Sequence, residues 1–122
     1  MTAKEWIERG FKLNVEIEQL KEARDRAEKM NDVCKKSLPS YGEYSRMLFK
    51  RIDTLLNICR EITEAVSLVD DAALRTLLTA RYINFKTWEQ VAEDMELDER
   101  WIYRLRKKAM AELEKVLIKR DE

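Results

Sequence analysis

The chain is predicted to be all-α: a long antiparallel helical hairpin of coiled-coil type over residues 1–69, followed by a C-terminal helix-turn-helix over residues 70–122. Three observations predict it. Its 122 residues hold only two Gly and one Pro, too few breakers for a sheet protein built on tight turns. Apolar residues recur at alternating spacings of three and four through the middle of the chain. A capping signature, Thr87-Trp88-Glu89-Gln90, opens a short helix just ahead of a long basic one.

The first helix is expected to run from about Thr2 to near Lys36, where Pro39 disfavours helix in the residue before it. Trp6, Leu13, Leu20, Ala27 and Cys34 recur along it every seven residues. Beyond the Pro loop, Leu48, Ile52, Leu55, Cys59, Ile62, Val66 and Val69 form a second seam. Folding back at the loop pairs Cys34 with Leu48, Ala27 with Leu55, Leu20 with Ile62 and Leu13 with Val69. Such a hairpin buries one stripe per helix, so a second copy is expected to cover the remaining apolar side chains. The C-terminal module is the other candidate for that cover. Cys34 and Cys59 act here as small seam hydrophobes.

Asp70-Asp71 ends the seam and suits the cap of a new helix, with Leu74, Leu77, Leu78 and Tyr82 facing the core until Asn84-Phe85. Thr87 and Gln90 then make a capping box for a short helix with Val91, Ala92 and Met95 inward. Glu96-Leu97 turns the chain and Asp98 caps a last helix from Glu99 to about Lys119.

Two helices joined by so short a turn, the second basic, describe a helix-turn-helix. The second helix carries an apolar stripe at Ile102, Leu105, Ala109, Leu113 and Val116, and Arg100, Tyr103, Arg104, Lys107 and Lys108 opposite. The whole chain is neutral, with 24 basic and 24 acidic residues. From Asp98 to Arg120, however, eight basic and four acidic side chains leave +4. A cationic face of this kind is what phosphate contact requires, so double-stranded DNA is the expected partner.

The ungapped stretch from Thr87 through Leu97-Asp98-Glu99-Arg100-Trp101-Ile102-Tyr103-Arg104 to Ala109 resembles region 4 of the sigma-70 family, with Arg81-Tyr82 ahead of it. The whole chain, including Ala3-Lys4-Glu5-Trp6-Ile7, is also similar to small regulators of the ArpU and RinA late-gene types, encoded by phages and prophages of Gram-positive bacteria. The resemblance implies a transcriptional regulator that binds promoter DNA. It implies base reading at Glu99, Arg100, Trp101, Tyr103 and Arg104, and backbone contacts at Thr87, Trp88 and Lys108. Arg106 and Lys107 are added to the backbone set as members of the same basic run. Chemistry agrees: Arg100 or Arg104 can clamp guanine, and Glu99 can accept from cytosine N4. Two readings stay open for Trp101, which is also placed to plug the edge of the core one turn before Leu105. Glu96 stands where the family usually has a turn Gly, so a left-handed residue there is strained.

No enzyme is expected. His is absent, which removes His-dependent triads and bases, and there is no Gly-rich phosphate loop or metal-ligand set. No cofactor, metal or membrane partner is expected either, and the expected location is the cytoplasm. Two alternatives are a small-terminase-like DNA-packaging protein and a helical module that docks on RNA polymerase.

Overall fold

A computed structural model describes residues 1–34 and 39–121. It is helical throughout, with α1 at Ala3–Ile7, α2 at Arg9–Cys34, α3 at Pro39–Val66, α4 at Ala72–Tyr82, α5 at Trp88–Asp94 and α6 at Glu99–Asp121. Packing divides the chain into two compact units: Met1–Gly10 with Cys59–Glu122, and Phe11–Ile58. The division therefore falls elsewhere than at the expected 69/70 boundary. The physical reason is that α1 packs on α6, with Ile7 fully buried, and that Ile62, Val66 and Val69 are buried at the end of α3 and just beyond it.

In the unit of residues 11–58, the Nε of Arg51 on α3 lies 3.3 Å from the Glu16 carboxylate on α2. This pairing corrects the expected register. Folding Leu20 against Ile62 would have set Glu16 opposite Val66, about four helical turns from Arg51. Pro39 explains the difference. It opens α3 rather than terminating a loop, since a first-turn Pro gives up no helical hydrogen bond. Tyr41 and Gly42 are consequently helical. Ile17 and Leu48 are buried, and the seam residues Leu13, Leu20, Ile52 and Leu55 are half-buried. Ile62 and Val66 belong to the other unit. The expected helix end near Lys36 and the side chain of Cys34 lie outside the described residues. Cys59 is a half-buried free thiol whose pKa is raised by burial.

The unit of residues 1–10 and 59–122 begins with a helix shorter than the one expected from Thr2. The Thr2 hydroxyl caps α1 by accepting from Glu5 N at 3.1 Å, and the helix is interrupted at Glu8. Arg9 clasps the break. Its Nε donates to the Trp6 carbonyl at 2.9 Å, its Nη2 donates to Glu61 at 2.8 Å, and the guanidinium lies 4.8 Å from the centre of the Trp6 ring. The Arg9 hydrogen bond, more than its charge, lowers the Glu61 pKa from its ordinary value. A depressed carboxyl pKa contributes stability above the unfolded value and loses it as pH falls through the folded one. Glu61→Gln is therefore expected to flatten the acid limb of stability below about pH 4.3 and to change little at pH 7 beyond loss of the pair. Thermal melts of both proteins from pH 7 to pH 3 check this.

Asp71 caps α4, its carboxylate accepting from Ala73 N at 2.8 Å and Leu74 N at 3.4 Å. Arg75 ties down the turn before it by donating to the Val69 and Asp70 carbonyls. Leu74, Leu77, Leu78 and Tyr82 are buried, as their spacing predicts. α6 packs across α4, α5 and α1, and α4 packs on α5. Among the described residues no helix is long and apolar enough to cross a membrane.

Candidate functional site

The local geometry of α5 and α6 follows closely from their end residues. Thr87 Oγ1 accepts from Gln90 N at 3.2 Å while Gln90 Oε1 accepts from Thr87 N at 2.9 Å, closing the capping box. Lys86 and Asp94 form an ion pair beside it. At the other end of α5, Glu96 N donates to Glu93 O at 3.1 Å and Leu97 N donates to Ala92 O at 3.0 Å. These are the two bonds of a Schellman C-cap, which needs a left-handed residue between its donors' partners and the next helix. Glu96 supplies it with φ 55°. Asp98 then starts α6 by accepting from Trp101 N at 2.9 Å.

A non-Gly residue in the left-handed region costs about 1–2 kcal/mol. Glu96→Gly is expected to relieve that strain and, after the entropy cost of an added Gly, to stabilise the protein by about 0.5–1 kcal/mol. A midpoint that rises in urea, with unchanged slope, would bear this out; a fall would show that the Glu96 side chain contributes more than the strain costs.

α6 is anchored by Ile102, Ala109 and Leu113, which are buried, with Leu105 and Val116 half-buried beside them. Opposite that stripe, Glu99, Arg100, Trp101, Tyr103, Arg104, Lys107 and Lys108 are exposed. Among the described residues, none of Arg100, Arg104, Arg106, Lys107 and Lys108 forms an ion pair, although cations elsewhere do. Three of them, Arg104, Arg106 and Lys107, lie against aromatic rings instead. Arg104 lies 5.5 Å from the Trp101 ring centre, and Lys107 lies 4.7 Å from that of Tyr103. A ring face attracts a cation without neutralising it, so the charge stays open to an external anion.

The structure thus brings Arg100, Trp101, Tyr103, Arg104, Lys107 and Lys108 onto one surface. Trp101 is 53% exposed, so it does not plug the core; Ile102, one residue on, takes the inward position. Arg106 departs from the rest of the basic run, being half-buried with its guanidinium 4.0 Å from the Trp88 ring centre. On the same ring, Arg81 lies at 5.0 Å and Tyr82 meets it edge-on at 6.2 Å. Trp88 is therefore first a packing residue that joins α4, α5 and α6, and Thr87 beside it is exposed. Burial pushes the Tyr82 phenol pKa up, keeping it neutral in this stack. A surface cleft of about 310 Å³, lined by Trp88, Glu89, Glu99, Ile102, Tyr103 and Arg106, opens where the two helices start. Sequence reasoning missed Arg81 as a partner of Trp88, because only the folded crossing of α4 and α6 brings the two arginines to one ring.

An all-helical protein with an open cationic helix face is the class that these features define. Residues 49–114 match DUF1492, a family described as proteins of unknown function, and the chain belongs to that family. The match takes in α4, α5 and the part of α6 from Glu99 to Glu114, which carries the basic surface. No curated protein and no solved structure matches the chain.

Proposed function

We propose that this protein is a sequence-specific DNA-binding regulator of transcription, of phage or prophage type, in which α5, the Glu96 turn and α6 act as a helix-turn-helix. One observation carries the reading: α6 is held by its buried stripe while four basic side chains opposite, Arg100, Arg104, Lys107 and Lys108, are exposed and lack carboxylate partners among the described residues. A helix with side chains is about 10–12 Å across and the major groove about 12 Å wide, so α6 can enter it with that face forward. Arg100 and Arg104 then reach base edges and clamp guanine, while Glu99 accepts from cytosine. Lys107, Lys108 and the exposed Thr87 at the start of α5 take backbone phosphates. Arg106 contributes through charge and by holding Trp88.

The unit of residues 11–58 supplies self-association. Phe49 and Leu56, one heptad apart on α3, are 75% and 62% exposed, a surface that a second copy of the chain would cover. Paired recognition helices would then meet half-sites separated by about one turn of DNA, or a multiple of it.

Selection of bound duplexes from a random pool, at about 0.15 M salt, tests the reading. One enriched motif is expected, with repeated half-sites. Retention without enrichment would reduce the function to phosphate binding, and a ring of many subunits in sedimentation would then favour DNA packaging. Absence of retention would make the basic face a protein-docking surface, with RNA polymerase the first partner to try.

A further inference from the structure

Trp101 occupies the first turn of α6, its backbone N–H held by the Asp98 carboxylate at 2.9 Å and its side chain 53% exposed. Arg104, three residues on, rests its guanidinium 5.5 Å from the indole centre. By the helical step of about 100° per residue, Trp101 borders the strip formed by Arg100, Arg104 and Lys107 on one side, and Tyr103 borders it on the other. With Tyr103 54% exposed, the basic strip is thus flanked by two large exposed rings. The stacked arrangement also restrains Arg104, so less side-chain freedom is lost when its planar fork meets a base.

Only one base offers an apolar group in the major groove: thymine, through its 5-methyl. We propose that Trp101 is a specificity-determining residue that packs on the 5-methyl of a thymine next to the guanine held by Arg104, the two side chains reading adjacent positions as one stacked unit. The proposal rests on the DNA-binding reading above and adds to it the chemical feature that is read. The selected motif is then expected to contain a thymine whose methyl matters, beside a guanine.

The test takes the selected duplex and replaces each thymine in turn by deoxyuridine, which keeps every hydrogen-bonding group and lacks only the methyl. Binding of the wild-type protein is expected to weaken about fourfold at one thymine per half-site, the worth of one buried methyl group. Trp101→Ala is expected to bind the unmodified duplex more weakly and to be indifferent to that same replacement. Because Trp101 is exposed, the variant should melt with wild-type cooperativity, and the deoxyuridine series on the wild type reads the proposal without any variant. Equal affinity for every deoxyuridine duplex would overturn the proposal while leaving sequence-specific binding in place. A methyl effect that persists in Trp101→Ala would also overturn it, assigning the contact to another side chain. Failure to select any duplex would bring down the DNA reading and this inference together.

Discussion

Arg104→Ala is expected to weaken binding to the selected duplex by about 1–3 kcal/mol and to relax preference at one base position. The reason is geometric. Arg104 is exposed on the face opposite Ile102 and Ala109, lacks a carboxylate partner among the described residues, and is steadied by the Trp101 ring. Its fork can therefore approach a guanine edge bidentately, which an exposed Lys could not reproduce. Lys108→Ala should behave differently. A point charge to phosphate carries no sequence information, so its loss weakens specific and nonspecific duplexes alike and lowers the salt slope by about 1. Fluorescence anisotropy titrations at several salt concentrations, on selected and scrambled duplexes, separate the two behaviours. If both variants bound the selected duplex as well as wild type, α6 would not be the recognition helix. A partner protein that still bound both variants would then identify the face as a docking surface for something other than DNA.

The parts of this molecule that were legible in the sequence are those decided within a few residues. Asp71, Thr87 and Asp98 each cap a helix as their positions predict, because a side-chain oxygen two or three residues from an unpaired N–H needs no distant partner. Leu74, Leu77 and Leu78 are buried because one period of 3.6 defines a single inward face on α4. Glu96 takes its left-handed conformation because both bonds of the α5 C-cap require it.

The register of α2 and α3 was not legible, for a physical reason. A heptad stripe presents a similar apolar face after every slip of seven residues, so periodicity alone does not choose among registers. What decides is the place where α3 starts, and Pro39 serves equally as a helix opener or as a loop residue. Glu16 and Arg51 mark the register that results. Long-range packing was equally hidden. Nothing near Ile7 announces that α1 closes on α6, and nothing near Trp88 announces that Arg81 and Arg106 share its ring. Trp101 lies at the edge of the inward stripe, where a one-residue step separates core from surface, so its side was settled only by the fold.

Leu113→Ala is expected to have the largest effect on folding. Leu113 is fully buried in α6, the helix that packs on α4, α5 and α1. Truncating a buried Leu removes its transfer free energy and leaves a cavity, at a cost of about 2–5 kcal/mol. Against a total of about 5–15 kcal/mol for a small domain, that is a large share. The melting temperature should fall by roughly 10–30 °C for a unit of this size. In urea the midpoint should fall with little change in slope, since the surface exposed on unfolding is nearly the same. The comparison with Arg104→Ala is what gives the experiment its force. An exposed substitution away from caps and core changes stability by about 0.5 kcal/mol or less. Leu113→Ala should therefore lose DNA binding only in step with unfolding and regain it at temperatures where the fold is populated. Arg104→Ala should stay folded and bind weakly at every temperature. A Leu113→Ala protein of wild-type stability would mean that α6 is not fixed by its buried stripe, and the basic face opposite would then have no rigid platform from which to enter a groove.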